Sequence, residues 1–585
     1  MSPAEAARRD AARDGAGLIA DAYADYLMRL DAVVRAARTN FEQCDWAAVQ
    51  RDSSRRLDLY NASVDRGIRD LTELLGDATS EHTAWAALRA GYARLIEGRA
   101  DAELAETFFN SITRRVFHTI GVDPAIEFVS PAVPPAAGGP PWRHTERFSA
   151  ADGLEACFRT VLERFAFTSG YEDLPGDAAR IAAAIAAQQP EFAVGAVEFS
   201  RPVFYRGKGA YLVGHLHGPD GSSPLLLALT NPRGRVVVDA VLTTADEVSI
   251  VFSFARSYFF VELERPREMV DYLRTLMPRK PVSELYNALG FNKHGKTELY
   301  RSLLRHLWTS DDRFVVAPGQ RGMVMAVFTL PGFDVVFKVI RDRFDYPKTV
   351  THAEVREKYS MVFHHDRAGR LVDVQEFEHL AFDRERFDPE LLDQLLGTCG
   401  ERVKLQGGQV VISHLYTERR LQPLDMYLRE ADFESAREAV IDYGLALRDL
   451  AATNVFPGDM LLKNFGVSRH GRLIFYDYDE LCRLTDCRFR ELPAAADDSD
   501  EGAPEPWFYV GERDIFPEEF RAFLGLPEPL LSAFLSQHRE LLGVTFWHRM
   551  QELHRRGEVL DIYPYRSTRR LRTTPRRPRD ADAPS

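Results

Sequence analysis

The hydrophobic period of this 585-residue chain changes repeatedly, so no single layer of helices or strands can bury all of its apolar residues. From Ala4 to about Gly121, apolar side chains recur every three or four positions. Leu18, Ile19, Ala22, Tyr23, Tyr26, Leu27 and Leu30 form one such stripe with charges between them, which predicts a helical bundle segment. The prolines of Val129 to Trp142 predict a linker or long loop, because they neither continue a helix nor pair in a central strand. Helical patterns resume over Gly153 to Phe167 and Ala178 to Gln189. Between Val197 and Leu263 the pattern turns to short apolar runs, such as Tyr211-Leu-Val-Gly-His-Leu and Leu225-Leu-Leu-Ala-Leu, separated by Gly, Asn, Asp and Pro. A small antiparallel sheet fits them. Helical spacing returns at Arg267 to Leu276, Ser283 to Leu289 and Thr297 to Leu307, and from Phe314 three strands alternate with two tight turns, predicting a meander. The remainder reads as mostly helical, broken by strand-like Gln409 to Tyr416 and Arg472 to Asp479.

A chain this long exceeds what one core supports. Residues 1–312 are expected as one unit, 313–565 as a second, and the arginine-rich 566–585 as a solvated, disordered tail. The formal net charge of -13 argues against nucleic acid as partner, since binding it relies on clustered Lys and Arg. The apolar runs fall far short of the ~20 residues of a membrane span, and the charged N-terminus offers no secretory h-region, so a cytoplasmic location without a membrane partner is expected. Cys44, Cys157, Cys399, Cys482 and Cys487 show no paired CxxC spacing and are read as reduced thiols.

One stretch, Gly290-Phe-Asn-Lys-His-Gly-Lys-Thr297, satisfies the P-loop pattern G-x-x-x-x-G-K-S/T. It is preceded by helical spacing with Ser283 as the expected N-cap, not by the buried strand that aims a P-loop at phosphate, so it is set aside and Gly290 is read as a helix terminator. The better phosphate site is the turn Ala317, Pro318, Gly319, Gln320, Arg321, Gly322 and Met323, between two β segments and followed on the next strand by Lys338. Downstream, Asp459-Met-Leu-Leu-Lys-Asn464 has the D-x-x-x-x-N spacing of a kinase catalytic loop, and Asp477 follows a strand. Phosphoryl transfer needs a carboxylate to orient and deprotonate the attacking hydroxyl, here Asp459, and oxygen ligands for Mg²⁺, here Asn464 and Asp477. Glu354, Glu357, Glu376 and Glu378 all remain open as the glutamate partner of Lys338. The set departs from standard protein kinases: the full G-x-G-x-x-G is absent, no His-Arg precedes Asp459, and Tyr-Asp follows Asp477.

The strings Ala317-Pro-Gly-Gln-Arg-Gly-Met-Val-Met, Phe333-Asp-Val-Val-Phe-Lys-Val-Ile, Phe456-Pro-Gly-Asp-Met-Leu-Leu-Lys-Asn-Phe-Gly-Val and Phe475-Tyr-Asp-Tyr-Asp-Glu resemble the bacterial isocitrate dehydrogenase kinase/phosphatase family. Leu242 to Phe259 resembles that family's regulatory domain. The resemblance implies an α+β fold: a helix-rich N-terminal regulatory domain with a small antiparallel sheet, followed by a bilobal protein-kinase-like domain. It implies phosphorylation of a serine of isocitrate dehydrogenase and removal of that phosphate, with ATP or ADP and Mg²⁺ (or Mn²⁺). It further implies a phosphatase role for Asp373, an adenine-binding hinge at Tyr416 to Leu421, and AMP acting on the N-terminal domain as allosteric effector. A homodimer is compatible with it. Two other readings stay open, an ordinary kinase that owes nothing to Asp373 and a nucleotide-binding scaffold without chemistry.

Overall fold

The computed structural model describes residues 3–129, 142–254, 257–345, 350–365, 367–493, 508–511 and 513–572. Most of the proline-rich segment and residues 573–585 of the basic tail lie outside the described residues.

The N-terminal stripe forms helices α1 (Pro3–Glu42), α2 (Trp46–Leu75), α3 (His82–Ile96) and α4 (Ala102–Phe117). Asp45 caps α2 by accepting from the Ala48 N–H at 2.8 Å. Buried Tyr23, Trp85, Tyr92, Phe108 and Phe109 fill the bundle interior. An antiparallel sheet follows, in the order β1 (Thr145–Ser149), β2 (Ala196–Ser200), β4 (Gly209–Gly218), β5 (Gly221–Thr230), β6 (Val237–Leu242), with β3 (Phe204–Arg206) also on β4. Helices α5 (Leu154–Arg164) and α6 (Leu174–Gln188) interrupt it in sequence, and α6 packs on β6. Two elements depart from the sequence reading. β1 lies outside the expected β region, and α7 (Ala245–Val251) lies inside it, started by Thr244 accepting from the Glu247 N–H at 3.3 Å. Helices α8 (Pro266–Leu276), α9 (Val282–Ala288) and α10 (Asn292–Thr309) lead to the second sheet.

That sheet contains the expected meander, β7 (Val315–Val316), β8 (Met325–Leu330) and β9 (Phe333–Ile340), extended by β12 (Gln409–Arg419) and β10 (Val374–Asp383), with β11 (Val403–Gln406) on β12. β10, which carries Glu376 and Glu378, corrects the mostly helical reading of this stretch. His379 has the left-handed φ +53°, and the ladder is interrupted between Glu378↔His414 and Leu380↔Ile412 without a change of register, a local backbone break that the sequence pattern does not announce. Phe314, Phe328, Phe337 and Phe387 form a ring cluster under this sheet, with Phe314 and Phe387 centroids 4.7 Å apart. Helices α11 (His352–His365) and α12 (Pro389–Thr398) are inserted between its strands. The remainder is built on α13 (Leu424–Glu430), α14 (Phe433–Ala452) and helices Glu528–His538 and Val544–Arg555. It also holds the short strands β13 (Gln422–Pro423), β14 (Val455–Phe456), β15 (Phe465–Val467), β16 (Leu473–Phe475) and β17 (Cys482–Arg483). The fold is α+β, and no helix among the described residues is long and apolar enough to cross a membrane.

Part of the expected disordered tail is placed. Leu571 N–H donates to the Asp239 carbonyl at 2.7 Å, Arg570 Nη2 donates to Asp239 Oδ1 at 2.8 Å, and Arg572 Nη2 donates to Asp177 Oδ1 at 2.8 Å. Asp177 and Asp239 are buried in the first unit. A buried carboxylate requires a cation; the arginines read as a solvated tail supply it for Asp239 and add Arg572 to the Arg180 already at Asp177. A second tie crosses between the sheets: Glu284 of α9 accepts from Arg419 of β12 at 3.0 Å and pairs with Lys280 at 3.0 Å. Burial pushes the Glu284 carboxyl up, but the Lys280 ammonium and Arg419 guanidinium outweigh it and hold it at about 2, below its ordinary 4.5. A depressed carboxylate stabilises fully above its unfolded value, and the contribution is lost as pH falls through the folded one. The melting-temperature advantage of the native protein over Glu284→Gln is therefore expected to be full at neutral pH and to shrink between about 4.5 and about 2. A gap independent of pH would remove Glu284 from this role.

Candidate active site

β14 delivers the chain into the candidate catalytic loop. Gly458 has φ +79°, and a Cβ there would stand 2.4 Å from the Glu480 carbonyl, so only glycine makes this turn into Asp459. Asp459 Oδ1 accepts from the Leu461 N–H at 2.9 Å, and Tyr443 Oη donates to the Met460 carbonyl at 2.7 Å from α14. The loop then enters the β15–β16 hairpin, where Phe465 faces Phe475. The Tyr476 N–H donates to the Asn464 carbonyl at 3.1 Å. The hairpin thereby folds the start of the Asp477 segment back onto Asn464. β16 ends at Phe475, so Tyr476 to Asp479 form a loop and not the strand end read from sequence.

Lys338 joins this loop to the sheet. Its Nζ donates to the Tyr476 carbonyl at 2.9 Å and pairs with Glu418 Oε2 at 2.7 Å. Glu418 is none of the four glutamates left open. Glu354 accepts from the Thr351 N–H at the start of α11, Glu376 pairs with His414 at 2.6 Å, and Glu357 and Glu378 are exposed. Glu418 was missed because it lies on β12 and not on a helix; the register Tyr416↔Lys338 and Glu418↔Val336 places it one pleat from the lysine. α11 meets the strand through Tyr359, whose ring stacks on Tyr416 at 4.1 Å and 12°. Burial raises the Glu418 carboxyl, Lys338 opposes that, and the Asp477 carboxylate adds to it. Its Oε1 makes no hydrogen bond. Of the segment expected as a hinge, Tyr416 to Leu421, residues Tyr416 to Arg419 are paired to β9 as strand.

The turn Ala317 to Met323 spans β7 and β8. The Ala317 N–H donates to the Val327 carbonyl at 3.2 Å, and Pro318, Gly319, Gln320 and Arg321 are exposed at the tip. Gly319 has φ +115°, and a Cβ there would stand 3.8 Å from Pro423, so the turn arches toward β13. The rejected P-loop match lies elsewhere. Gly290 has φ +87° and receives Arg56, which donates to the Leu289 carbonyl at 2.7 Å, while Gly295, Lys296 and Thr297 sit inside α10. Pro281, not Ser283, is the N-cap of α9.

Asp373 stands at the entrance to β10. The Val372 N–H donates to the Phe475 carbonyl at 3.1 Å, and Tyr478 Oη donates to the Val372 carbonyl at 2.9 Å, so its backbone runs beside the Asp477 segment. Its Oδ2 accepts from Asn287 Nδ2 of α9 at 2.8 Å and from Gln375 Nε2 at 3.0 Å. Asp373 and Asn287 line a cavity of about 250 Å³ between the two sheets, with Arg279, Arg419, Arg469 and Arg472. Among the described residues no three His, Cys, Asp or Glu side chains are grouped to hold a metal. Asn464 and Asp477 offer two oxygen donors, which fits Mg²⁺, an ion that keeps several waters and takes phosphate oxygens as further ligands. Glu418→Gln keeps the shape and removes the charge. It is expected to weaken binding of a non-hydrolysable ATP analogue about tenfold, the scale of one charged hydrogen bond. Unchanged affinity in a calorimetric titration would mean that the Tyr476 carbonyl alone holds Lys338.

Residues 16–311 match the isocitrate dehydrogenase kinase/phosphatase (AceK) regulatory domain, and residues 312–567 match the AceK kinase domain. The isocitrate dehydrogenase kinase/phosphatase of Anaeromyxobacter sp. (strain Fw109-5) is 52% identical over 566 residues, covering 96% of this chain and 98% of that one. That of Anaeromyxobacter dehalogenans (strain 2CP-C) is 50% identical over 579 residues, covering 96% and 98%. With both domains matched in order along nearly its whole length, the chain belongs to the isocitrate dehydrogenase kinase/phosphatase family.

Proposed function

We propose that this chain transfers the γ-phosphoryl group of ATP to a serine of isocitrate dehydrogenase, inactivating it, and also removes that phosphate, so controlling flux between the tricarboxylic acid cycle and the glyoxylate bypass. The observation that carries the reading is the single bond from Lys338 Nζ to the Tyr476 carbonyl, which ties the lysine of the sheet to the segment holding Asp477. In the kinase direction, Lys338 binds the α and β phosphates beneath the Ala317 to Met323 turn, whose exposed tip, Pro318 to Arg321, covers the nucleotide. Asp459 orients the serine hydroxyl and takes its proton as the oxygen attacks. Asn464 and Asp477 hold Mg²⁺, or Mn²⁺, which when bound neutralises charge building on the phosphate oxygens. In the phosphatase direction, Asp373 positions the hydrolytic water or protonates the departing serine oxygen.

Residues 1–312 are assigned as the regulatory unit and 313–565 as the catalytic one, a division supported by one large core in each, while a third core packs Tyr300, Leu303 and Leu307 of α10 against the second sheet. For AMP, expected on the helical N-terminal domain, the cavity between the units is the candidate site, because its four arginines suit a phosphate and Asn287 reaches Asp373 from the same wall. The protein substrate is isocitrate dehydrogenase, the nucleotides are ATP, ADP and AMP, and the homodimer is left as an oligomeric reading for sedimentation to decide.

The test incubates the protein with isocitrate dehydrogenase, labelled ATP and Mg²⁺, then replaces ATP by ADP and follows the label. Incorporation followed by release as free phosphate is expected; incorporation without release would reduce the protein to a plain kinase. Asp459→Ala is expected to lower incorporation by at least about 10²-fold with the fold retained. Asp373→Ala is expected to slow release at least roughly tenfold more than incorporation. Equal losses would sink its separate role.

A further inference from the structure

Two of the five cysteines are neighbours in space. Cys482 Sγ and Cys487 Sγ lie 3.5 Å apart, both half-buried, at the ends of the 3₁₀ turn Leu484–Asp486. The other three are free thiols: Cys157 and Cys399 are buried, and Cys44 donates to the Asn231 carbonyl at 3.2 Å. The pair also stands directly behind the catalytic loop. β17 begins at Cys482, which faces Phe456 of β14, and β14 runs on to Gly458 and Asp459. The turn between the cysteines is bonded to the same lead-in: the Leu484 N–H donates to the Asn454 carbonyl at 3.1 Å, and the Thr485 N–H donates to Asn454 Oδ1 at 3.0 Å. Asn454 itself is held in a left-handed conformation at φ +62°.

We propose that Cys482 and Cys487 form a reversible redox site, and that their disulfide distorts the lead-in to Asp459 and slows phosphoryl transfer. To bond at ~2.05 Å the two sulfurs must close by about 1.5 Å. Neither end yields freely. Cys482 is bonded into β17, and Gln551 Nε2 donates to the carbonyls of Leu484 and Cys487, each at 2.8 Å. Closure therefore strains the turn between the two cysteines, which the Leu484 and Thr485 N–H bonds couple to Asn454. The two thiols are also chemically unequal. The hydrogen bond from Cys487 lowers Cys482 below the usual thiol value, against burial and with help from Lys358, while the same bond raises Cys487. Cys482 is the attacking thiolate and Cys487 the resolving thiol.

The oxidant is a low-molecular-weight disulfide. The Cys482 thiolate attacks one of its sulfurs, the external S–S bond breaks, and one small thiolate leaves and takes a proton from solvent. Cys487 then gives its proton to solvent and attacks the Cys482 sulfur of the mixed disulfide, expelling the second small thiolate. Two protein thiols are oxidised, and one external disulfide is reduced to two thiols. A small dithiol reverses the sequence.

The rate effect rests on the proposed kinase activity, whereas the covalent chemistry does not, and the experiment reads both. Full-length reduced protein is equilibrated in buffers of graded oxidised and reduced glutathione, alkylated, weighed intact and peptide-mapped; phosphorylation of isocitrate dehydrogenase is measured on the same samples before alkylation. The expected result is loss of two alkylation sites, a cross-linked peptide joining Cys482 to Cys487, and a rate at least roughly tenfold lower, since misplacement by about 1 Å can cost up to ~10²-fold. Dithiothreitol restores the rate. Cys487→Ser keeps the reduced rate and loses the oxidative fall. Full alkylation of both cysteines across the series overturns the site. A disulfide that leaves the rate unchanged, or an equal oxidative fall in Cys487→Ser, overturns its link to Asp459. A reduced protein without kinase activity sinks the functional reading, and mass and mapping then decide the pair alone.

Discussion

The candidate site depends on one buried ammonium. Lys338 is 6% exposed, and a charge that far from water persists only where fixed polar groups replace its hydration. Glu418 supplies the counter-charge and the Tyr476 carbonyl supplies a dipole. The lysine thereby fixes the sheet, the β12 strand and the Asp477 loop relative to one another. Glu418 shows the cost of the arrangement: one of its oxygens is buried without a hydrogen bond, and the carboxyl is pushed toward its neutral form by burial and by Asp477. Unsatisfied groups of this kind cluster where a ligand completes the set.

The second unit is not independent of the first. Asn287 and Glu284 lie on one face of α9, three residues apart, and reach Asp373 and Arg419 respectively. A one-turn shift of a single helix would alter the hydrogen bonding of the carboxylate assigned to dephosphorylation and release the arginine beside Glu418. Arg370 secures the other side, donating to Asp442 and Asp449 of α14 while its carbonyl accepts from the Phe475 N–H at 2.7 Å. Asp373 thus stands between an anchored strand and a helix belonging to the regulatory unit.

How much of this was legible in sequence follows from the range of the interactions. The helical bundle, the meander and the order of Lys338, Asp459, Asn464 and Asp477 rest on local periodicity and spacing, and they were readable. Glu418 was not, because its role comes from the register of β12 against β9, which joins residues about eighty positions apart. β10 escaped through the left-handed backbone at His379, and α7 through a short apolar run whose only helical signal was its Thr244 cap. The tail arginines read as solvent-exposed because the aspartates they neutralise lie hundreds of residues earlier. Asp373 was legible through resemblance alone, and its contact with α9 was not legible at all.

That last contact of the tail bears on the order of folding during synthesis. Arg570 follows Asp239 by 331 residues. At the usual ~5–20 residues per second of translation, the first unit emerges with Asp239 uncompensated and stays so for tens of seconds, until residue 570 is made, whereas Asp177 already has Arg180 of its own helix at 2.6 Å. A ribosome that stops early therefore leaves a first unit whose Asp239 lacks its counter-charge, and that one interior carboxylate is satisfied only after the C-terminal half has been made.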